Sequence, residues 1–424
     1  MNALDIISAH RRFSAMPGFE RIGRLLKELG NPQEGLRFIH VVGTNGKGTT
    51  STFIDSAMRE CGYKTGLFTS PFIVEFRERF RINGEMIPEK DLDEITVIVH
   101  EAEKRLEGCA FTEFEFITAV GMCWFKREKC DAVVLEAGLG GGSDTTNVIK
   151  DPAASVIVSI SLDHTALLGG TIEEIAYEKA DVIKKGGTVV LYPAMAESAR
   201  LIVEKTAAER NAALLMADLS QAKVHKSDLF GTDFSYRGQN YHIGFSGMHQ
   251  VYNALNAITA LNFLQKEFVN ITEEKIAQGL KNASIPGRME VVMEHPIVII
   301  DGGHNPGCAE ALRDVIRNSL PNRNITAVIG MMSDKDSAQY LEDVAGLFCR
   351  IFTVKPNSPR GLDAGILAQR AAAYCKEVLP AQSVEAAVTQ AVESAGDNGA
   401  VVVCGSFIVA GDARRELLKW TTGE

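Results

Sequence analysis

The sequence predicts an α/β protein of two domains. The first is built on a mostly parallel sheet with a small antiparallel sheet attached, and the second is a smaller α/β unit. Three observations predict this. Apolar runs of strand length alternate with helical patterns through the first part of the chain, a second series of such runs begins after Pro286-Gly287, and between them lies a stretch with period-two alternation and turn residues. At 424 residues the chain is long for one ordinary domain. The boundary is expected within 285–296, giving a first domain over 1–288 and a second over 289–424.

The first series reads FIHVVG at 38–43, DAVVLEAG at 131–138, ASVIVSI at 154–160 and TVVLY at 188–192. Continuous apolar runs of this kind suit strands covered on both faces by helices. Residues 215–245, with FGTDFSYRGQNYHIGF at their end, carry the alternation and turn residues of antiparallel strands. The second series reads PIVIIDGG at 296–303, ITAVIG at 325–330, RIFTVKP at 350–356 and AVVVCGS at 400–406. No internal repeat or low-complexity tract interrupts the pattern.

A formal charge of −10 gives no basic field for nucleic acid or an anionic membrane, so neither is an expected partner. An anionic substrate must then be held by local positive groups. The start, MNALDIISAHRRF, lacks a signal-peptide pattern, and no stretch approaches the roughly 20 apolar residues that span a bilayer, so a cytoplasmic protein is expected. The eight cysteines show no CxxC pair and are read as reduced, mostly buried small hydrophobes.

Directly after FIHVV comes Gly43-Thr44-Asn45-Gly46-Lys47-Gly48-Thr49-Thr50, followed by the amphipathic stretch STFIDSAMRECG. Strand, glycine loop and helix form the context of a phosphate-binding loop. Glycines let backbone N–H groups close around phosphate oxygens, Lys47 supplies a point charge, and Thr49 or Thr50 offers a hydroxyl to magnesium. The competing reading is a glycine-rich turn with an exposed lysine. An extra glycine separates Lys47 from Thr49, so the loop departs from the common GxxxxGK[ST] pattern.

GTNGKGTT resembles the loop of the Mur ligase superfamily, and its glycine after the lysine resembles the folylpolyglutamate synthase and dihydrofolate synthase branch. MPGFERIGRLLKELGNPQ, KTGLFTSPFIVEFRERFRINGE, TEFEFITA, LEAGLGGGSDTTNVI, ISLDHTALLGGTIEEIAYEKADVIKKG, GMHQVYNALNAITAL, IPGRMEVV and DGGHNPG follow in that family's order. The resemblance thus covers essentially the whole chain. It implies a phosphate-loop ATPase domain joined to a Rossmann-like C-terminal domain. The implied activity is ATP-dependent joining of L-glutamate to a folate-type carboxylate through an acyl phosphate.

The same resemblance implies site residues. Glu136 and Thr49 would bind one magnesium ion and His164 a second, although histidine is an unusual magnesium ligand. Lys179 matches a carbamylated lysine, whose carbamate would be a carboxylate-like oxygen donor, and Asp181 follows it where the family has a small residue. Lys47, Glu136, His164 and Lys179 form the expected catalytic set. Asn45, Gly46, Lys47, Gly48, Thr49, Thr50, Asn253, Arg288 and Asp301 form the ATP set, spread over both domains. A potassium ion is also admitted. On the substrate side stand Ser70 and Pro71, Thr112, Phe114, Glu115 and Asp144 near a pterin, and His304. Lys355 and Ser358-Pro359-Arg360 resemble a stretch that suits glutamate carboxylates.

The family's GGRxDATN reads GGGSDTTN here, with Gly142 in the arginine position, and its SPH reads SPF with Phe72. Folylpolyglutamate synthase, dihydrofolate synthase and a bifunctional, monomeric enzyme acting on folate, dihydropteroate and L-glutamate all fit, with bifunctionality favoured. Rival readings are another Mur-type amino-acid ligase, which ordinarily carries an additional N-terminal domain, a phosphate-loop nucleotide switch, and an inactive relative.

Overall fold

A computed structural model describes residues 2–11, 19–106 and 108–422. Its first sheet has eight strands: β1 Phe38–Val42, β2 Thr65–Phe68, β3 Phe80–Ile82, β4 Glu85–Met86, β5 Ala132–Glu136, β6 Ala154–Ile157, β7 Thr188–Leu191 and β8 Ala213–Met216. They run in the order β4-β3-β2-β5-β1-β6-β7-β8. Every pairing from β2 through β8 is parallel, while β3 and β4 add an antiparallel edge.

Strand β1 is buried throughout, with Phe38 packing on one face of the sheet and Ile39 and Val41 on the other. The chain leaves β1 toward β2 on one side and later fills β6, β7 and β8 on the other, which places a topological switch point at the carboxyl end of β1. Ligands of open α/β sheets bind at such points. The helix Lys47–Glu60 starts there, and Thr49 through Met58 are all buried. It is gripped by helices Met248–Leu264 and Glu273–Asn282, the latter so closely that a Cβ on Gly279 would stand 2.3 Å from Ala57 Cα.

Strands β9 Ala222–Asp228, β10 Gly231–Tyr236 and β11 Gln239–Ile243 form the expected antiparallel sheet. Its Phe234, Tyr236 and Tyr241 join the core around Phe53 and Ile54. The third sheet takes β12 Glu290–Glu294, β13 Ile297–Ile300, β14 Ile325–Ile329, β15 Arg350–Thr353, β16 Val378–Pro380 and β17 Ala400–Cys404 in the order β12-β13-β17-β14-β15-β16. Only β12 in it is antiparallel.

The eight long runs read as strands all form strands. Sequence reading missed β2, β3, β4, β8, β12 and β16, which are short or lie at edges. Of the lead-in segment, Glu20–Glu28 is a helix, and Met16-Pro17-Gly18 lie outside the described residues. All eight cysteines are free, four of them buried and Cys349 exposed. Among the described residues no helix is long and apolar enough to cross a membrane.

Candidate active site

The loop after β1 is shaped by two glycines that no other residue replaces. Gly43 (φ +154°) carries its Cα where a Cβ would meet Val158 Cγ2 at 2.2 Å, and Gly46 (φ +89°) where a Cβ would meet Asn253 Oδ1 at 2.3 Å. Gly46 is also the N-cap of the helix Lys47–Glu60, so no side chain caps the first turn. The first N–H groups of a 14-residue helix therefore face the loop as an anion site. The loop is pinned from behind: Thr44 N–H donates to Ser159 O (2.7 Å), Thr44 Oγ1 to Ser161 O (3.1 Å) and Ser159 Oγ to Asn45 O (2.9 Å). Asn253 Oδ1 is buried without a partner among the described residues.

Two lysines converge on one carbonyl of this loop. Lys47 Nζ donates to Gly43 O (3.2 Å) and Thr44 O (3.1 Å), and buried Lys179 Nζ donates to Gly43 O at 2.8 Å. Burial, then the neighbouring Lys47 ammonium, push Lys179 down to about 7, against the pull of Asp144, Asp163 and Glu178. A depressed lysine costs stability while it is charged: below its folded value both states are protonated and the full penalty applies. As pH rises toward 10.5 the unfolded chain holds the extra proton and the native state gains. Lys179→Met should therefore raise the melting temperature most near about pH 6, and the gain should shrink toward about pH 10 in carbonate-free buffer. A gain that does not change with pH would show that Lys179 is not a buried, depressed amine.

Glu136 ends β5 and is 3% exposed. Its Oε2 accepts from Ser70 N–H (3.1 Å) and lies 3.7 Å from where a Gly48 Cβ would be, directly over the loop. Burial pushes its carboxyl up, opposed by Lys47, the Ser70 N–H, Arg288 and Arg79. The carboxylate of Glu136 and the hydroxyl of Thr49 on the first helical turn are hard oxygen donors beside a phosphate cradle, which fits magnesium. Among the described residues no three His, Cys, Asp or Glu side chains gather as a ready cage.

His164 stands elsewhere in the cleft. It has φ +51°, caps the short helix Thr165–Leu168 and lies 3.9 Å from Asp163 Oδ1 and 3.5 Å from Lys335 Nζ. Burial, outweighing Asp163, and then Lys335 and Lys47 lower its pKa, so the ring is a neutral ligand or acceptor near neutral pH. On the far side of the cleft, Arg288 lies with its guanidinium 4.4 Å over the Phe407 ring. Asp301, at the end of β13, accepts from Gly303 N–H (2.8 Å) and Met289 N–H (3.1 Å). His304 packs edge-on against Phe407, and burial pushes it down to about 4.

Asn305 ties the glycine loop to Asp163. Its Nδ2 donates to Asn45 Oδ1 (2.9 Å) and Asp163 Oδ2 (3.0 Å), and Asn45 Nδ2 returns a bond to Asn305 Oδ1 (3.2 Å). Sequence reasoning named neither Asn305, nor Asp163, nor Lys335. DGGHNPG and LDH both pointed at their neighbours.

The expected pterin residues are held as follows. Thr112 and Glu115 form a reciprocal cap on the helix Glu113–Arg127, and Glu115 Oε1 also accepts from Arg21 Nε (3.0 Å), so both carboxylate oxygens are engaged within the chain. Phe114 fills the space beside Gly138, where a Cβ would come within 2.4 Å of it. Asp144 accepts from Leu139 N–H (2.7 Å) and from Thr146, whose hydroxyl also meets buried His40 Nε2 at 2.8 Å. Ser70 and Pro71 line a cleft with Gly48, Glu136, Arg288 and Phe407. Arg360 pairs with Asp334 at 3.2 Å, while Lys355 and Ser358 lie in the loop after β15.

The two departures noted at Gly142 and Asp181 prove to be one. A Cβ on Gly142 would stand 2.3 Å from Asp181 Oδ2 and 2.6 Å from its Cβ, and Asp181 is itself paired with Arg210. Gly142→Arg alone should lower stability by about 1–3 kcal/mol, the range for overpacking, and Asp181→Gly should restore most of it. Additive losses in thermal melts of the double variant would show the two positions to be independent.

Residues 111–261 match the Mur ligase middle domain and residues 287–407 the Mur ligase glutamate ligase domain. The chain is thus an ATP-dependent ligase of the Mur type. It is 34% identical to the dihydrofolate synthase/folylpolyglutamate synthase of Bacillus subtilis over 98% of both chains. Against the folylpolyglutamate synthase of Lacticaseibacillus casei it is 35% identical over 97% of both. The Escherichia coli FolC structure in complex with DHPP and ADP superposes with a TM-score of 0.87 at 29% identity, covering 100% of this chain and 99% of that one. The chain belongs to the folylpolyglutamate synthase and dihydrofolate synthase family.

Proposed function

We propose that the protein adds L-glutamate to tetrahydrofolate-type folates and to dihydropteroate, as a cytoplasmic monomer using ATP and magnesium, with potassium as a supporting cation. The observation that carries this reading is the meeting of two half-sites. The glycine loop with Lys47 and Glu136 belongs to the unit 1–288, Arg288 ends it, and Asp301 and Asn305 belong to the unit 289–424, with Asn305 bonded to Asn45 of the loop itself. A ligase needs both halves, because a carboxylate must first be phosphorylated and then meet an amine away from water. A nucleotide switch needs only the first half.

In this reading the N-terminus of the helix Lys47–Glu60 and the Lys47 ammonium hold the phosphates, and Arg288 and Asp301 orient the nucleotide from the other side. Glu136 and Thr49 would hold magnesium and His164 would serve a second ion, which would supply charge neutralisation for phosphate transfer. Lys179, held near 7 by burial, is neutral often enough at physiological pH to take up carbon dioxide as a carbamate, which would also remove the repulsion between its ammonium and Lys47.

Product mass spectrometry tests the function. The pure protein is incubated with ATP, magnesium and L-glutamate, and with either dihydropteroate or tetrahydrofolate as acceptor. Glutamate added to both acceptors is the expected outcome. Addition to one names a single activity, and addition to neither, with ATP hydrolysis independent of acceptor, overturns the reading.

A further inference from the structure

We propose that Lys335 is a positioning residue whose ion pair with Asp163 couples docking of the second domain to placement of the His164 side chain. The proposal rests on the ligase reading above only for its kinetic consequence. Lys335 lies in the loop that follows β14, and that loop is braced throughout. Ser333 N–H donates to Arg360 O (2.8 Å), Arg360 pairs with Asp334, Lys335 N–H donates to Met332 O (3.2 Å), and Asp336 caps the helix Ser337–Val344. The braced loop sends the Lys335 ammonium across to the first domain, 2.7 Å from Asp163 Oδ1.

Asp163 is where three elements meet. Its Oδ1 takes Lys335 and the His164 backbone N–H (2.8 Å), and its Oδ2 takes Asn305 Nδ2 (3.0 Å). His164 has φ +51°, a left-handed conformation uncommon for a residue with a side chain. One carboxylate therefore both anchors the second domain and fixes the turn that aims the imidazole. Exposed ion pairs are worth little, but here the Lys335 and Asp163 side chains are 10% and 13% exposed, and removing one partner leaves a nearly buried charge uncompensated. Lys335 also lies close enough to His304 and His164 to lower the pKa of both, so its charge reaches both sides of the cleft.

The test compares Lys335→Met, Asp163→Asn, the double variant and Lys335→Arg with the wild type, each checked for folding by its melting temperature. Two readouts are taken: small-angle scattering of the nucleotide-bound protein without glutamate, and kcat and KM for ligation. The first three variants should show the same expanded scattering profile and the same fall in kcat, about 10²-fold as expected for a misplaced reacting group, with little change in the KM for glutamate. Lys335→Arg should recover most of both. The proposal is overturned if Lys335→Met scatters as the wild type does. It is equally overturned if that variant raises only the KM for glutamate, or if the effects of Lys335→Met and Asp163→Asn simply add. A wild type that ligates nothing would defeat the ligase reading instead, and the scattering comparison would then decide the clamp alone.

Discussion

Lys47→Met is expected to give a folded protein that ligates at no more than about a thousandth of the wild-type rate, the scale of loss when a fixed charge is taken from a phosphoryl-transfer site. Among the described residues the Lys47 ammonium donates only to Gly43 O and Thr44 O of its own loop. Methionine keeps the length and helix preference of the stem and removes the charge. Lys179 Nζ still holds Gly43 O after the change, so the loop keeps one of its two braces. Because the Lys47 ammonium is a cause of the depressed Lys179, its removal should also raise the Lys179 pKa. Calorimetric titration with ATP and magnesium should show weakened nucleotide binding, while thermal melts stay near wild type. Turnover close to the wild-type rate would remove Lys47 from the site.

The parts of this site that the sequence displays are those encoded by neighbours along the chain. Strand, glycine loop and helix at 38–60 are contiguous, so their chemistry can be read from spacing alone. The reason Gly46 must be glycine is not local, because the obstacle is Asn253 on a distant helix. The apparent independence of Gly142 and Asp181 fails in the same way, since only the fold brings one against the other. Thr112 and Glu115 show the opposite case: the spacing Thr-x-x-Glu is a local capping signature, and the structure uses it as a cap, tied to Arg21. Asp163, Asn305 and Lys335 are silent in sequence because each acquires its partner across the domain boundary. The same holds for β2, β8 and β16, short strands whose identity is set by the neighbour they pair with.

Glu136→Gln should separate stability from activity more sharply than any other change in the cleft. Burial raises the Glu136 carboxyl, with Lys47, the Ser70 N–H, Arg288 and Arg79 opposing it incompletely. A carboxyl raised in the folded state adds stability at pH below its unfolded value, and that contribution is lost as pH rises through the folded value. At neutral pH the ionised side chain is therefore a net cost to the fold. Glutamine has the same shape, its carbonyl oxygen still accepts from Ser70 N–H, and it carries no charge to desolvate. The variant should melt at or above the wild-type temperature near neutral pH, with the difference narrowing as pH falls toward about 4. With Glu136 as the proposed magnesium ligand, ligation should fall by about 10³-fold or more, because a neutral amide is a poor partner for magnesium. Excess magnesium should recover little of it, since the loss lies in a ligand's charge rather than in occupancy alone. Stabilisation together with lost ligation is the signature of a charge kept in place for function at the expense of folding. A destabilised variant, or one that still turns over at the wild-type rate, would instead assign Glu136 to holding the Ser70 turn.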